Sequence, residues 1–275
     1  MGTSRQFVLL KDQWQKRQHN LEHRLWAQHG DVLEAVKSFP QHLLVGALAS
    51  LLLFASRGSH FSLAQNTPIP VNNIEVGHTQ EQLIAELSRL LPKSVQPLTA
   101  EQDSKVGALL SNYFKIPVWA VLGGNQLNRT YGYIGAEQHL MRYPGDSVKN
   151  MAPGRGAWGY FAPSHAEMTQ RDIDREKYYL AVQTFLAPGW SERTNELYNF
   201  FKFRKMLVVN PDNGNAMVVV IGDAGPAPFT GKHLGGSPEV MQYLKRVDGA
   251  QKGPVLYYFI DDPEDKIPLG PITVK

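Results

Sequence analysis

The sequence predicts an α+β protein, with a helical segment leading into a mainly β domain. Three observations carry this. The run from Leu207 to Pro226 holds two Val- and Ile-rich arms around Pro211, Asp212, Asn213 and Gly214. Proline fixes φ and Asn-Gly tolerates positive φ, so the run reads as strand, tight turn, strand. Thr79 and Thr99 each stand three residues before a glutamine and then an apolar stripe, the spacing of a capping box. The chain has 275 residues and is 43% apolar, enough to bury a sizeable core.

Residues 1–42 are polar, with Phe7, Leu10, Trp14, Leu21 and Leu25 at loose helical spacing. They read as an amphipathic juxtamembrane helix or a polar tail. Residues 43–56 are uncharged and apolar until Arg57. The run is shorter than the roughly 20 residues that cross a bilayer comfortably. It reads as a short transmembrane anchor, with a signal-peptide core or a buried helix as alternatives. Arg5, Lys11, Lys16, Arg17, Arg24 and Lys37 precede it, which places the N-terminus in the cytoplasm and the C-terminal domain outside. Ser62 to Ala64 resembles a cleavage site, so secretion after cleavage is the other route outward. Residues 57–78, with Pro68 and Pro70, read as a linker.

Residues 79–116 read as two helices. The first carries Leu83, Ile84, Leu87 and Leu90 and stops at Pro92; the second carries Val106, Leu109, Leu110 and Phe114. Residues 117–275 form the sheet domain. It opens with an apolar run at 118–122 and a turn at Gly123-Gly124. Near its end, Ser237 and Pro238 have the form of a helix start, and residues 254–260 read as the last strand.

Composition narrows the chemistry. There is no cysteine, hence no disulfide, thiolate metal site or cysteine nucleophile. A net charge of +3 is too dispersed for a nucleic-acid stripe. Lys202, Arg204 and Lys205 are the densest basic cluster and read as a solvated strand edge. Gly154, Gly156 and Gly159 lack the lysine of a phosphate loop. Neither a cofactor nor a metal is expected.

Val208, Asn210, Gly214, Val218, Val220, Ile221, Asp223, Gly225 and Pro226 together resemble the core hairpin of the double-psi β-barrels of rare-lipoprotein-A-like and expansin-like proteins. The resemblance covers residues 207–226 directly and 154–275 loosely. It implies a six-stranded double-psi β-barrel, with an opening strand at Ala157 to Tyr160 and another at Ala181 to Gln183. It also implies a cell-wall role, with peptidoglycan or another wall polysaccharide as partner. Ala224 stands where that family often has arginine, which weakens the transfer of activity.

Asp223, at the exit of the second arm, is the candidate catalytic acid. Ordinary glycoside hydrolysis needs two carboxylates. Lytic transglycosylation can use one, because a hydroxyl of the sugar attacks and one group serves both proton transfers. A non-catalytic grip on glycan, or a scaffold for a partner complex, are the alternatives. Substrate contacts are expected from the polar cluster Glu137, His139, Arg142 and Tyr143, from Trp158 and Tyr160 as stacking rings, and from Lys232.

Overall fold

The computed structural model describes residues 78–149, 151–246 and 252–275. The expected anchor at 43–56, the segment before it, the cleavage motif and nearly all of the linker lie outside the described residues. Among those described, no helix is long and apolar enough to cross a membrane.

In chain order the elements are α1 (Gln80–Leu90), α2 (Ala100–Phe114), β1 (Val118–Trp119), β2 (Val121–Leu122), β3 (Asn125–Gln126), β4 (Tyr131–Ala136), α3 (Gln170–Lys177), β5 (Tyr179–Val182), α4 (Thr194–Phe201), β6 (Lys205–Val209), β7 (Ala216–Ala224), β8 (Leu234–Gly236), α5 (Pro238–Leu244), β9 (Lys252–Ile260) and β10 (Gly270–Ile272). Six strands close into a mixed β-barrel, in the ring order β4, β9, β6, β7, β5, β8 and back to β4. β4 runs parallel to β8 and β5 to β7. The other four pairings are antiparallel. β1 extends the edge on β9, and β10 extends β7.

The ring has an internal two-fold order. Moving three strands along the chain carries β4, β5 and β6 onto β7, β8 and β9; four of the pairings then exchange in twos, and β5–β8 and β6–β9 map onto themselves. In each half a helix joins the second strand to the third, α4 in the first and α5 in the second; α3, between β4 and β5, has no α-helical counterpart between β7 and β8. The correspondence reaches single hydrogen bonds. Gly225 N–H donates to Val182 at 2.9 Å, and Glu137 N–H donates to Gly236 at 2.8 Å. The approximate dyad passes by the Ala181–Gly235 pair, where β5 and β8 meet.

The expected hairpin is present: β6 and β7 pair from Lys205↔Val220 to Val209↔Ala216. Gly214 takes φ +71° in the turn, the region glycine tolerates best. Asn210 is buried and donates through its amide to Leu244 at 2.7 Å, tying the turn to the end of α5. Both threonine capping boxes form as read, and Ser237 caps α5 with Pro238 in its first turn. The barrel interior is filled by Ile134, Leu180, Met206, Val208, Met217, Val219, Ile221, Val255 and Phe259. On the outer face of β6, β7 and β9, α1 and α2 bury Leu83, Leu87, Val106 and Leu110 against Leu207, Val218, Leu256 and Tyr258. Helical pair and barrel therefore share a core.

Two expectations need correction. Residues 157–160 are not a strand; Gly156 and Gly159 make a single bridge around a tight turn. The barrel opens instead with β4, which runs directly into the polar cluster that begins at Glu137. The Lys202–Lys205 cluster is not a solvated edge throughout. Lys205 is buried on β6, 2.7 Å from Asp262 and also paired with Asp265.

Candidate active site

Asp223 owes its direction to one glycine. Along β7, Val219 and Ile221 point into the barrel, and strict alternation would send Asp223 inward as well. The β5–β7 register slips by one residue: Leu180 faces Ile221, whereas Ala181 faces Asp223. Gly222 is the extra residue, a β-bulge that turns the carboxylate to the outer face, where Ala181 and Val220 also lie. Only glycine fits there, since a Cβ on Gly222 would stand 2.6 Å from Tyr179 Cβ.

The carboxylate is half-buried. Its Oδ1 accepts the N–H of Ala157 at 2.6 Å and of Ala224 at 2.8 Å. No hydrogen bond reaches Oδ2 among the described residues, and Oδ2 is not sealed from solvent. Burial raises the pKa of Asp223 and the nearby Glu137 charge adds to this; the two backbone N–H groups oppose it. The balance favours the protonated acid relative to a free aspartate.

Glu137 follows β4, the strand related to β7 by the internal dyad. Its side chain lies across Gly235, so close that a Cβ there would collide with it. Lys232 Nζ donates to Glu137 Oε1 at 2.8 Å and to the Ala136 carbonyl at 3.1 Å. Asp223 beside Ala181 and Glu137 over Gly235 thus approach the dyad from the two halves. The floor between them is made of two of the smallest residues, about 10 Å across at two strand spacings.

The other predicted residues are placed differently. Trp158 is 6% exposed; it packs in the barrel core and its indole N–H donates to Tyr198 at 3.1 Å. Tyr160 is half-buried beside the Ala157 turn, with Arg155 over its ring. His139 turns away from Glu137: its Nδ1 meets buried Glu176 at 3.0 Å. Arg142 grips Asp146 with two side-chain hydrogen bonds, at 2.7 and 2.9 Å. That hold keeps the Asp146 carboxyl down at about 2. Tyr143 packs edge-on against His165 at 5.1 Å. Among the described residues no three His, Asp or Glu side chains gather as metal ligands.

The structure also displays an aromatic that sequence reasoning missed. Phe229 is 78% exposed, on the loop that leaves Asp223 for β8. Gln183 donates one amide to both Pro226 and Lys232 carbonyls, fixing both ends of that loop. The signal was faint: phenylalanine between Pro228 and Thr230-Gly231, in a turn rather than a strand. No family model matches this sequence, and neither does any curated protein.

Proposed function

We propose that this protein acts on cell-wall glycan from outside the cytoplasm, as a double-psi β-barrel of the lytic-transglycosylase type with Asp223 as its acid. The support for the topology is the two-fold order of the ring, two three-stranded halves, each with a helix before its last strand, joined by two parallel pairs. The observation that carries the chemistry is the bulge at Gly222. It presents an aspartate with one oxygen held by backbone and one left for a ligand, in surroundings that favour its protonated form.

In this reading, protonated Asp223 gives its proton to the glycosidic oxygen as the bond to the anomeric carbon breaks. A hydroxyl of the same sugar attacks that carbon, and the Asp223 carboxylate takes the hydroxyl proton. Acid is regenerated, no water is consumed, and the product is an anhydro-sugar. The Glu137–Lys232 pair supplies an acceptor and donors for sugar hydroxyls. Phe229 and Tyr160 offer rings for stacking. The apolar run at 43–56 would tether the domain to the membrane.

A second reading, a non-catalytic grip on wall polysaccharide, is favoured by one observation: Asp223 Oδ1 is already committed to two N–H groups, as in a structural aspartate. Incubation with purified peptidoglycan separates the two. Asp223→Asn should abolish anhydro-sugar release while pelleting with peptidoglycan persists. Pelleting by the unaltered protein without anhydro-sugars would leave only the second reading; neither activity would remove both.

A further inference from the structure

A second cleft, of about 550 Å³, opens where α3, the start of β6 and the segment after β9 meet. Five cationic side chains line it against three carboxylates. The carboxylates are unevenly used. Asp262 and Asp265 both hold buried Lys205, and Asp265 also holds Arg171. Asp174 takes the side-chain amide of Gln170. No carboxylate lies within ion-pair distance of Arg175, Lys202 or Arg204 among the described residues.

These three cations are braced by rings instead. Arg175 stands over Phe203 at 4.8 Å, Lys202 approaches the same ring at 5.8 Å, and Arg204 stands over Phe200 at 4.6 Å. Arg204 is further fixed by its Nε–H, which donates to the Phe200 carbonyl at 3.2 Å. Arg175 and Arg204 are partly buried. Burial lowers the pKa of Arg175 and neighbouring Arg171 adds to this, while the charges of Asp265 and Asp172 oppose it without restoring the ordinary value. Cations that only solubilise a surface are left in water; here two guanidinium groups are drawn into a concavity, oriented over rings, and left without a carboxylate in direct contact among the described residues.

We infer that this cleft is a binding site for a phosphate group, clamped by Arg175 and Arg204 with Lys202 at the rim. Two guanidinium groups and an ammonium on one cleft supply the positive charge and N–H donors that a tetrahedral oxyanion takes up. Asp223 is not among the residues lining the cleft, and phosphate binding there does not rest on the proposed glycan chemistry. Free phosphate and a phosphodiester of a polymer share the chemistry that would be recognised.

Isothermal titration of the full chain tests it, with inorganic phosphate in one arm and dimethyl phosphate in the other. Saturable binding of inorganic phosphate is expected, weakened at least about tenfold in Arg175→Gln, the loss of one charge-assisted hydrogen bond. The rim variant Lys202→Gln, whose side chain is exposed, should weaken it less without affecting folding. Asp223→Asn should bind as the parent does. Binding of dimethyl phosphate as well would assign the site to diesters; binding of inorganic phosphate alone would assign it to the dianion. No saturable heat in either arm, or equal affinity in parent, Arg175→Gln and Lys202→Gln, would overturn the inference.

Discussion

At the scale of single residues, Asp223 carries a measurable signature in stability. Its pKa is raised on folding, so the native state holds this proton more tightly than the unfolded chain does. The contribution is fully present below the ordinary aspartate value of 3.8 and is lost as pH rises through the higher native value. Asparagine cannot ionise, yet its amide oxygen can accept the same two N–H groups. Asp223→Asn should therefore melt above the parent at pH 7, with the gap closing as the pH is lowered towards 4. Thermal melts across that range check this, and a gap independent of pH would refute the burial of the charge. Asp223 was legible in the sequence because turn residues and Val/Ile arms fix its distance from the hairpin. Trp158 and Phe229 were not, because a ring in the core and a ring in solvent are written with the same kinds of letter. Only tertiary contacts separate them.

At the scale of elements, two glycines beside the site make a controlled comparison. A Cβ at Gly222 meets the Cβ of Tyr179, an atom fixed to the β5 backbone. Gly222→Ala should cost about 1–3 kcal/mol by overpacking and lose activity with the bulge. A Cβ at Gly235 meets instead the flexible side chain of Glu137. Gly235→Ala should leave the melting temperature near the parent's and weaken glycan binding by displacing Glu137 from the groove. Denaturant melts and glycan pelling of both variants, read side by side, check the pair; equal destabilisation would argue against it. Capping boxes at Thr79 and Thr99 were plain in the sequence because their chemistry is local. β4 was not, because Gly132 and Gly135 dilute its strand signal and its partners lie on β8 and β9, about a hundred residues away or more.

At the scale of the whole molecule, the helical pair is part of the barrel's own stability. Leu110 on α2 is fully buried in the core shared with the outer face of β6, β7 and β9. The Asp103 carboxylate ties the same helix to the barrel, accepting from Tyr258 at 2.9 Å and from Thr130. Leu110→Ala should cost about 2–5 kcal/mol and lower one melting transition common to helical and aromatic circular-dichroism signals. Two separate transitions, with the aromatic one unmoved, would make the helices an independent module. Closure of the ring was beyond sequence reasoning for a physical reason. The hairpin β6–β7 is local, but the parallel pairs β4–β8 and β5–β7 join segments whose spacing along the chain carries no trace of their pairing.

The two hydrogen bonds that the Gln183 amide donates to the Pro226 and Lys232 carbonyls separate the roots of the β7–β8 loop from its tip. Substitutions between those anchor points, exposed Phe229 among them, can change the chemistry of the rim while the sheet beneath keeps its shape. If the proposed glycan binding holds, its preference is open to alteration by exchanging a handful of tip residues, much as a tool head is swapped on a fixed handle.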